Sequence, residues 1–163
     1  MALSKVAAMS SLTDEETNFL RFANLLIRIA LKAVRDLFDK YFTPGGLSVM
    51  LNQSKGKLET LNQKKILNKS QMDLLYPPHG TATVTVQSSD MDITLMICLL
   101  RNLKKMKIQD SLPRETDVCA EADISRIKYY RNWIAHNTDG QINKNDFPVI
   151  WKNTCEVNNL ITA

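Results

Sequence analysis

The sequence predicts an all-α fold, an up-and-down four-helix bundle with additional short helices between its long members. Four segments carry apolar residues at the three-and-four spacing of a helix with one buried face, and turn-forming residues separate them. The one strictly alternating segment, residues 81–87, has no second strand to pair with. Because an unpaired strand leaves its backbone donors unsatisfied, we expect an extended loop that crosses the bundle there. The chain has 163 residues, which is enough for one core and too few for two ordinary domains.

The first predicted helix is the longest. It begins at Thr13-Asp14-Glu15-Glu16, a capping box in which the side chains of Thr13 and Glu16 can each accept from the other residue's backbone amide. We expect it to run for about 29 residues, or roughly 43 Å, until Pro44-Gly45-Gly46 ends it. The helical spacing places its apolar face at Phe19, Phe22, Ala23, Leu26, Ile29, Ala30, Ala33, Leu37 and Tyr41.

Short helices are predicted next, at about residues 47–52 and 56–68. The second is amphipathic, with Lys64 and Lys65 outward and a buried face of Leu58, Leu61, Ile66 and Leu67. A single turn capped at Ser70-Gln71-Met72-Asp73 should follow and end at Pro77-Pro78.

The later helices have recognisable starts and ends. Ser89-Asp90-Met91-Asp92 predicts the cap of a helix that buries Ile93, Ile97, Leu100 and Leu103 and closes on Lys104, Lys105 and Lys107. Residues 108–117 form a connection. The final helix is predicted to start at Asn145 or Asp146, with Pro148 in its first turn.

One domain is expected, at residues 13–163, preceded by a flexible arm at residues 1–12. We expect this domain to be a module of a longer protein with further domains. Its three cysteines are odd in number and lack C-x-x-C spacing, so neither a disulfide framework nor a zinc site is predicted. The longest apolar run, residues 95–100, is far too short to span a membrane, and the start of the chain lacks a secretory apolar region. A cytoplasmic protein without a membrane partner is predicted.

The segment of residues 123–137 carries the chemistry of the chain. Its apolar and aromatic residues predict one buried helical face, and it stops at Asn137-Thr138-Asp139-Gly140. His136 therefore falls in the last turn, where the partial negative charge of the helix end favours a positively charged side chain. Arg131 offers a fixed fork of donors that suits a phosphate. The residues of the buried face are Ile124, Ile127, Tyr130, Trp133 and Ile134.

These residues also carry a family resemblance. The run from Arg131 to His136 resembles the R-x4-6-H signature of the HEPN superfamily (higher eukaryotes and prokaryotes nucleotide-binding). The wider sequence resembles one animal subgroup, the HEPN domain found in the DAZ-interacting zinc-finger ubiquitin ligase and in related immune-type proteins. The landmarks of that resemblance, between about residues 18 and 151, are Asn18-Phe19-Leu20-Arg21-Phe22, Asp73-Leu74-Leu75-Tyr76-Pro77, Asp92-Ile93-Thr94-Leu95, Leu99-Leu100-Arg101-Asn102, Ile127-Lys128-Tyr129-Tyr130-Arg131-Asn132 and Ala135-His136.

The resemblance implies the same bundle and, for HEPN ribonucleases, metal-independent cleavage of single-stranded RNA without a cofactor. In that interpretation His136 moves a proton to or from the 2'-hydroxyl or the leaving 5'-oxygen. Arg131 stabilises the charge of the transition state, and Asn132 orients the pair. Weaker candidates for RNA contacts are Arg126, Lys128, Lys104 and Lys105.

Two other interpretations remain open at the level of sequence. In one, the same residues hold a nucleotide, an RNA or a partner chain, and the domain is a non-catalytic dimerisation or sensing module of a larger immune-type or ubiquitin-ligase protein. In the other, Arg131 forms a salt bridge with Asp123 or Asp117, and His136 only caps its helix. The net charge of +4 does not decide between them, because the basic excess lies in residues 1–87, away from the Arg/His segment. His79 is expected to be a polar surface histidine.

The spacing of Arg131 and His136 predicts a homodimer. Residues five apart on a regular helix are separated by about 140° around its axis, so the two side chains of one chain do not converge on one phosphate. Either the helix loosens before His136, or two copies pack so that Arg131 and His136 from both chains line a shared cleft. HEPN ribonucleases are dimers with a composite site of that kind. We therefore expect a two-fold symmetric homodimer with the end of this helix at its interface.

Overall fold

The computed structural model of the protein describes residues 11–77 and 86–161, with the side chains of the last helix described up to Val157. Within these ranges the chain is helical and contains no strand, so the predicted all-α fold is confirmed. Residues 81–85 of the predicted loop at residues 81–87 fall outside the described residues, and so does His79. The α-helices are α1 (Asp14–Tyr41), α2 (Pro44–Gln53), α3 (Lys55–Gln63), α4 (Lys69–Leu75), α5 (Ile93–Leu103), α6 (Ala120–His136) and α7 (Phe147–Ile161), with a 3-10 turn at Ser88–Asp90.

Helix α1 forms the centre of the bundle, because it contacts α5, α6 and α7. Phe22, near its start, is fully buried and meets the rings of Tyr130 and Trp133 edge to face, at centroid distances of 5.6 and 6.3 Å. Helix α7 packs against both α6 and α1, and its Asn153 Nδ2 donates to the hydroxyl oxygen of Tyr130 at 3.2 Å. These contacts fix α6 against both α1 and α7.

The start of α1 follows the prediction. The Thr13 amide donates to Glu16 Oε2 at 2.8 Å, and the Glu16 amide donates to Thr13 Oγ1 at 3.2 Å, so the capping box is complete. The predicted apolar face is wrong at one residue, Tyr41, near the end of the helix. Tyr41 is 41% exposed, and the core is filled there by Phe38 and Phe42, whose rings lie 4.6 Å apart.

The short helices differ from the prediction at their ends. Pro44 begins α2 because a missing amide costs nothing at the first helical position, so Pro44-Gly45-Gly46 is a helix start as well as a break. Helix α3 ends at Gln63, well before residue 68. The chain turns there through Lys65 (φ 59°), and the amides of Lys65 and Ile66 donate to the carbonyls of Asn62 and Leu61, a Schellman motif.

The turn after α3 also reverses one predicted burial. Leu67 is buried as expected, but Ile66 is 54% exposed because the helix has already ended.

Side-chain caps define the starts of the remaining helices. Asn68 and Gln71 form the capping box of α4, in place of the predicted Ser70. Asp92 caps α5, with Oδ1 accepting from the Leu95 amide at 2.7 Å. Helix α7 begins at Phe147, one or two residues later than predicted, because Asn143 Oδ1 accepts from the amides of both Asn145 and Asp146.

Over the described residues, none of the helices combines the length and the apolar character needed to cross a membrane.

Candidate nucleic-acid interface

The end of α6 sets the position of His136. Asn137 stops the helix, since its Oδ1 accepts from the Gly140 amide and its Nδ2 donates to the Gln141 carbonyl, both at 3.0 Å. Gly140 has a φ of 64°, which favours glycine at this turn. His136 is therefore in the last turn of α6, where the sequence places it, and its side chain is exposed.

The predicted inner face of α6 is anchored in the core. Ile124, Ile127 and Tyr130 are 4% exposed or less, and Trp133 and Ile134 are half-buried against the same core. Between these anchors Ser125 and Arg126 are buried as well, Arg131 is half-buried, and Asn132 is exposed. The candidate site is thus carried by a rigid element and not by a loop.

Arg131 lies on the rim between two grooves. Its side chain is half-buried, and Nη1 lies 3.4 Å from Thr94 Oγ1 on α5. Burial lowers the pKa of the guanidinium and the nearby Asp92 carboxylate acts in the opposite sense, but an arginine remains charged at neutral pH. Within the described residues Arg131 has no carboxylate within 4.0 Å, so the alternative in which it pairs with Asp123 or Asp117 is wrong.

The first groove, between α5 and α6, is rich in positive charge, and we call it the cationic groove. It has a volume of about 350 Å³ and contains Arg101 of α5 beside Lys128, Arg131 and Asn132 of α6. Asp110 pairs with both Arg101 and Lys128 through the same oxygen, Oδ1. Burial lowers the pKa of Lys128, and the neighbouring Arg101 lowers it further. The rest of its lining is Ile66, Thr94, Ile97, Cys98 and Asn102.

The second groove, between α1 and α6, is apolar, and we call it the apolar groove. It has a volume of about 430 Å³ and meets the cationic groove at Arg131. Ile27 of α1 is 70% exposed here, although it is a large aliphatic side chain. The lining consists of Ala23, Leu26, Ile27, Ala30, Leu31 and Arg35 of α1, Met91, Asp92 and Ile93 around the start of α5, and Arg131, Ile134 and Ala135 of α6.

His136 lines a third groove, at the end of the bundle, which we call the histidine groove. Its volume is about 380 Å³, and Glu15, Trp133 and Asn143 also line it. Arg131 is not part of it. The structure therefore brings Arg131 and Asn132 together with two further cations and separates them from His136 of the same chain.

The weaker candidates for RNA contacts have different surroundings. Lys128 lies in the cationic groove. Lys104 lies over the ring of Phe42, 4.8 Å from its centroid, and the neighbouring Lys105 is exposed, but neither lines a groove that contains Arg131 or His136.

Arg126 is a correction to the predicted RNA contacts, because it is 7% exposed and its donors are used inside the protein. Its Nη1 donates to Asp123 Oδ1 at 3.0 Å, and its Nη2 donates to the carbonyls of Arg114 and Asp117 at 2.6 and 2.8 Å.

Arg101 is the residue that the sequence interpretation missed. It is 27 positions before Lys128, and only the packing of α5 against α6 puts the two in one groove. Within the portion of the chain that the structure describes, no cluster of three or more histidine, cysteine or acidic side chains could hold a metal ion.

Comparison with known proteins gives one family. The family model for the DZIP3/hRUL138-like HEPN domain matches residues 44–158, a span that includes all of α6 with Arg131, Asn132 and His136. No significant match is found among curated proteins or solved structures.

Proposed function

The chain belongs to the DZIP3/hRUL138-like HEPN family, and from that premise we propose that it is a metal-independent endoribonuclease for single-stranded RNA whose site is shared between two copies of the chain. The observation that carries this proposal is the separation of Arg131 and His136 into different grooves of one protomer. Within one copy, no groove of the described residues presents both side chains to a phosphate. Two copies offer each other the missing partner.

The apolar groove supplies the surface for that pairing. A contiguous exposed apolar patch marks an interaction site, and the exposed part of this groove is formed by Ile27 and Leu31 of α1 and Ala135 of α6, next to the half-buried Ile134. It lies between the two candidate residues along α6, since Arg131 borders it and His136 follows Ala135 directly. A second copy packed on this patch about a two-fold axis would place Arg131 of each chain close to the α6 end of the other.

The chemistry follows from what each side chain offers. The imidazole of His136 can accept the 2'-hydroxyl proton as a neutral ring or protonate the leaving 5'-oxygen as a cation. The guanidinium of Arg131 keeps its charge and presents parallel donors to the phosphate oxygens as negative charge develops. Asn132 is exposed next to Arg131, where its amide can orient the phosphate or the arginine. No metal ion is required in this scheme.

The test is cleavage of an unstructured RNA by the purified chain in the presence of EDTA. We expect products with a 2',3'-cyclic phosphate, because the attacking group is the neighbouring 2'-hydroxyl. Arg131→Ala and His136→Ala should each abolish cleavage and leave the far-ultraviolet helical signal unchanged. The matched controls are Arg114→Ala, whose side chain is 84% exposed outside the three grooves, and His79→Ala, at the other histidine of the chain. Both should cleave like the unaltered protein.

A non-catalytic RNA-sensing or dimerisation module is the alternative. It would be supported if the unaltered dimer binds RNA without cutting it and if binding persists in both substituted forms.

A further inference from the structure

Three cationic side chains from two helices line the cationic groove. Lys128 and Arg131 are three residues apart on α6 and so share one helical face, and Arg101 of α5 faces them across the groove. Burial lowers the pKa of Lys128, and repulsion from the neighbouring Arg101 lowers it further. Such a site favours an anion.

Asp110 is the anion that the protein itself supplies. A single carboxylate oxygen, Oδ1, serves both cations, at 3.5 Å from Arg101 Nη1 and in a close ion pair with Lys128 Nζ. The side chains of Asp110 and Arg101 are 69% and 42% exposed, so water screens this ion pair, whereas the Lys128 side chain is only 22% exposed. Because Asp110 stays accessible to water while it pairs with both cations, another anion can compete with it for them.

The backbone holds Asp110 in place independently of its carboxylate. The amide of the preceding residue, Gln109, donates to Ser125 Oγ on α6 at 2.8 Å, and Ile108 is buried in the core. The segment before α6 is thus fixed by contacts that do not involve Asp110. Removing the carboxylate should change the charge of the groove without unfolding the connection.

We propose that the cationic groove binds a backbone phosphate of the RNA strand through Arg101 and Lys128, next to the phosphate that Arg131 contacts, and that Asp110 is an internal competitor which the strand displaces. The identity of the ligand as RNA rests on the proposed function. A phosphodiester carries one negative charge on two oxygens, so it can accept from the arginine fork and the lysine together. A carboxylate that uses one oxygen for both cations is replaced by a group that gives each cation its own acceptor.

The proposal predicts opposite effects for neighbouring substitutions. A single-stranded oligonucleotide with 2'-O-methyl groups serves as the probe, because it cannot be cleaved through a 2'-hydroxyl. Asp110→Asn should bind it about two- to fivefold more tightly at low salt, the range that corresponds to the loss of a competing exposed ion pair. Arg101→Gln and Lys128→Gln should each weaken binding, and each should reduce the slope of log affinity against log salt by about 0.7.

Matched controls come from an exposed ion pair on α7. Lys152 and Glu156 lie 3.8 Å apart and are 69% and 62% exposed, close to the exposure of Asp110. Glu156→Gln and Lys152→Ala make the same charge changes outside the cationic groove and should change affinity by less than twofold. The side chains of Arg101 and Asp110 are exposed, so the single variants Arg101→Gln and Asp110→Asn should fold normally. These two variants decide the outcome even if Lys128→Gln impairs folding.

The inference is overturned if Arg101→Gln binds the oligonucleotide like the unaltered protein, or if Asp110→Asn is no tighter than Glu156→Gln. Displacement of the strand by an equal concentration of adenosine monophosphate would also overturn it, because the groove would then prefer a free nucleotide. Cleavage is scored separately on unmodified RNA. If the unaltered protein cleaves RNA but the groove variants bind the oligonucleotide normally, the proposed phosphate site in the cationic groove is wrong and the ribonuclease proposal stands. If the unaltered protein does not cleave RNA but Asp110→Asn and Arg101→Gln change binding in opposite directions, the ribonuclease proposal is wrong and the phosphate site stands.

Discussion

Asp123 and Arg126 form an ion pair inside α6, with Arg126 Nη1 3.0 Å from Asp123 Oδ1 and side chains that are 9% and 1% exposed for Arg126 and Asp123. The second carboxylate oxygen of Asp123 has no hydrogen-bond partner among the described residues. Burial raises the pKa of Asp123, and the charge of Arg126 acts against that rise. The carboxylate thus depends on one arginine for its charged form.

Arg126→Ala should therefore destabilise the protein by about 3–5 kcal/mol, because it leaves a buried carboxylate without a counterion. This loss of stability should be smaller at acidic pH than at neutral pH. A carboxyl group whose pKa is raised on folding binds its proton more tightly in the folded state, so stability is gained as the pH falls through the folded pKa. Denaturant unfolding at neutral and acidic pH measures both effects. A loss that is independent of pH would show that the carbonyls of Arg114 and Asp117, and not Asp123, are the important partners.

Tyr76 gives a prediction at alkaline pH. Its hydroxyl donates to the Leu51 carbonyl at 2.5 Å, and burial, with a smaller effect of Glu59, raises its pKa from 10.0 to about 12. Because the folded pKa exceeds the unfolded value, the stabilisation is complete below pH 10 and is lost between pH 10 and about 12. Tyr76→Phe should cost about 1 kcal/mol at neutral pH and should lose less stability than the unaltered protein in that window. Tyr41→Phe, at an exposed tyrosine, is the control, and equal alkaline losses in the two variants would contradict the prediction.

Lys65 has a left-handed backbone conformation at the end of α3, with φ 59°. A side chain is strained there, and glycine is not. Lys65→Gly should stabilise the protein by about 0.5–1 kcal/mol in denaturant unfolding. The same change at the preceding residue, Lys64, whose φ is −78°, should destabilise it. A loss of stability for Lys65→Gly would mean that the turn does not need this conformation.

Ile27 tests the interface. A charge in the apolar groove should prevent two copies from packing, so Ile27→Asp should convert a dimer at micromolar concentration to a monomer and abolish cleavage. Val118→Asp is the control, because Val118 is an aliphatic side chain of equal exposure, 68% against 70%, outside that groove. Sedimentation velocity measures the change. An unaffected dimer in Ile27→Asp would place the interface elsewhere, and a monomeric unaltered chain would contradict the shared site.

Periodicity and capping predicted the elements on which the candidate site depends. The capping box of Thr13 and Glu16 defines the start of α1, and the three-and-four spacing of residues 124–134 defines the inner face of α6. The turn at Asn137 and Gly140 fixes the position of His136 at the helix end. These features are local, so they can be read from neighbouring residues.

Features that depend on contacts between distant residues were missed or misassigned. Arg126 looks like an exposed cation in sequence, and only its packing against residues 114 and 117 turns it inward. Arg101 joins the cationic groove through the packing of α5 on α6. Lys65 ends α3 in a conformation that a lysine rarely adopts, which is why the predicted helix extends too far.

The most direct test of the shared site mixes two inactive proteins. Arg131→Ala and His136→Ala are combined in equal amounts, exchanged by dilution and reconcentration, and assayed on single-stranded RNA with EDTA. Mixed dimers keep Arg131 of one chain and His136 of the other, so a site built across the interface should regain about one quarter of the unaltered activity, from half of the dimers with one intact pair each. No recovered activity in a mixture that demonstrably contains mixed dimers would contradict a site shared between two copies.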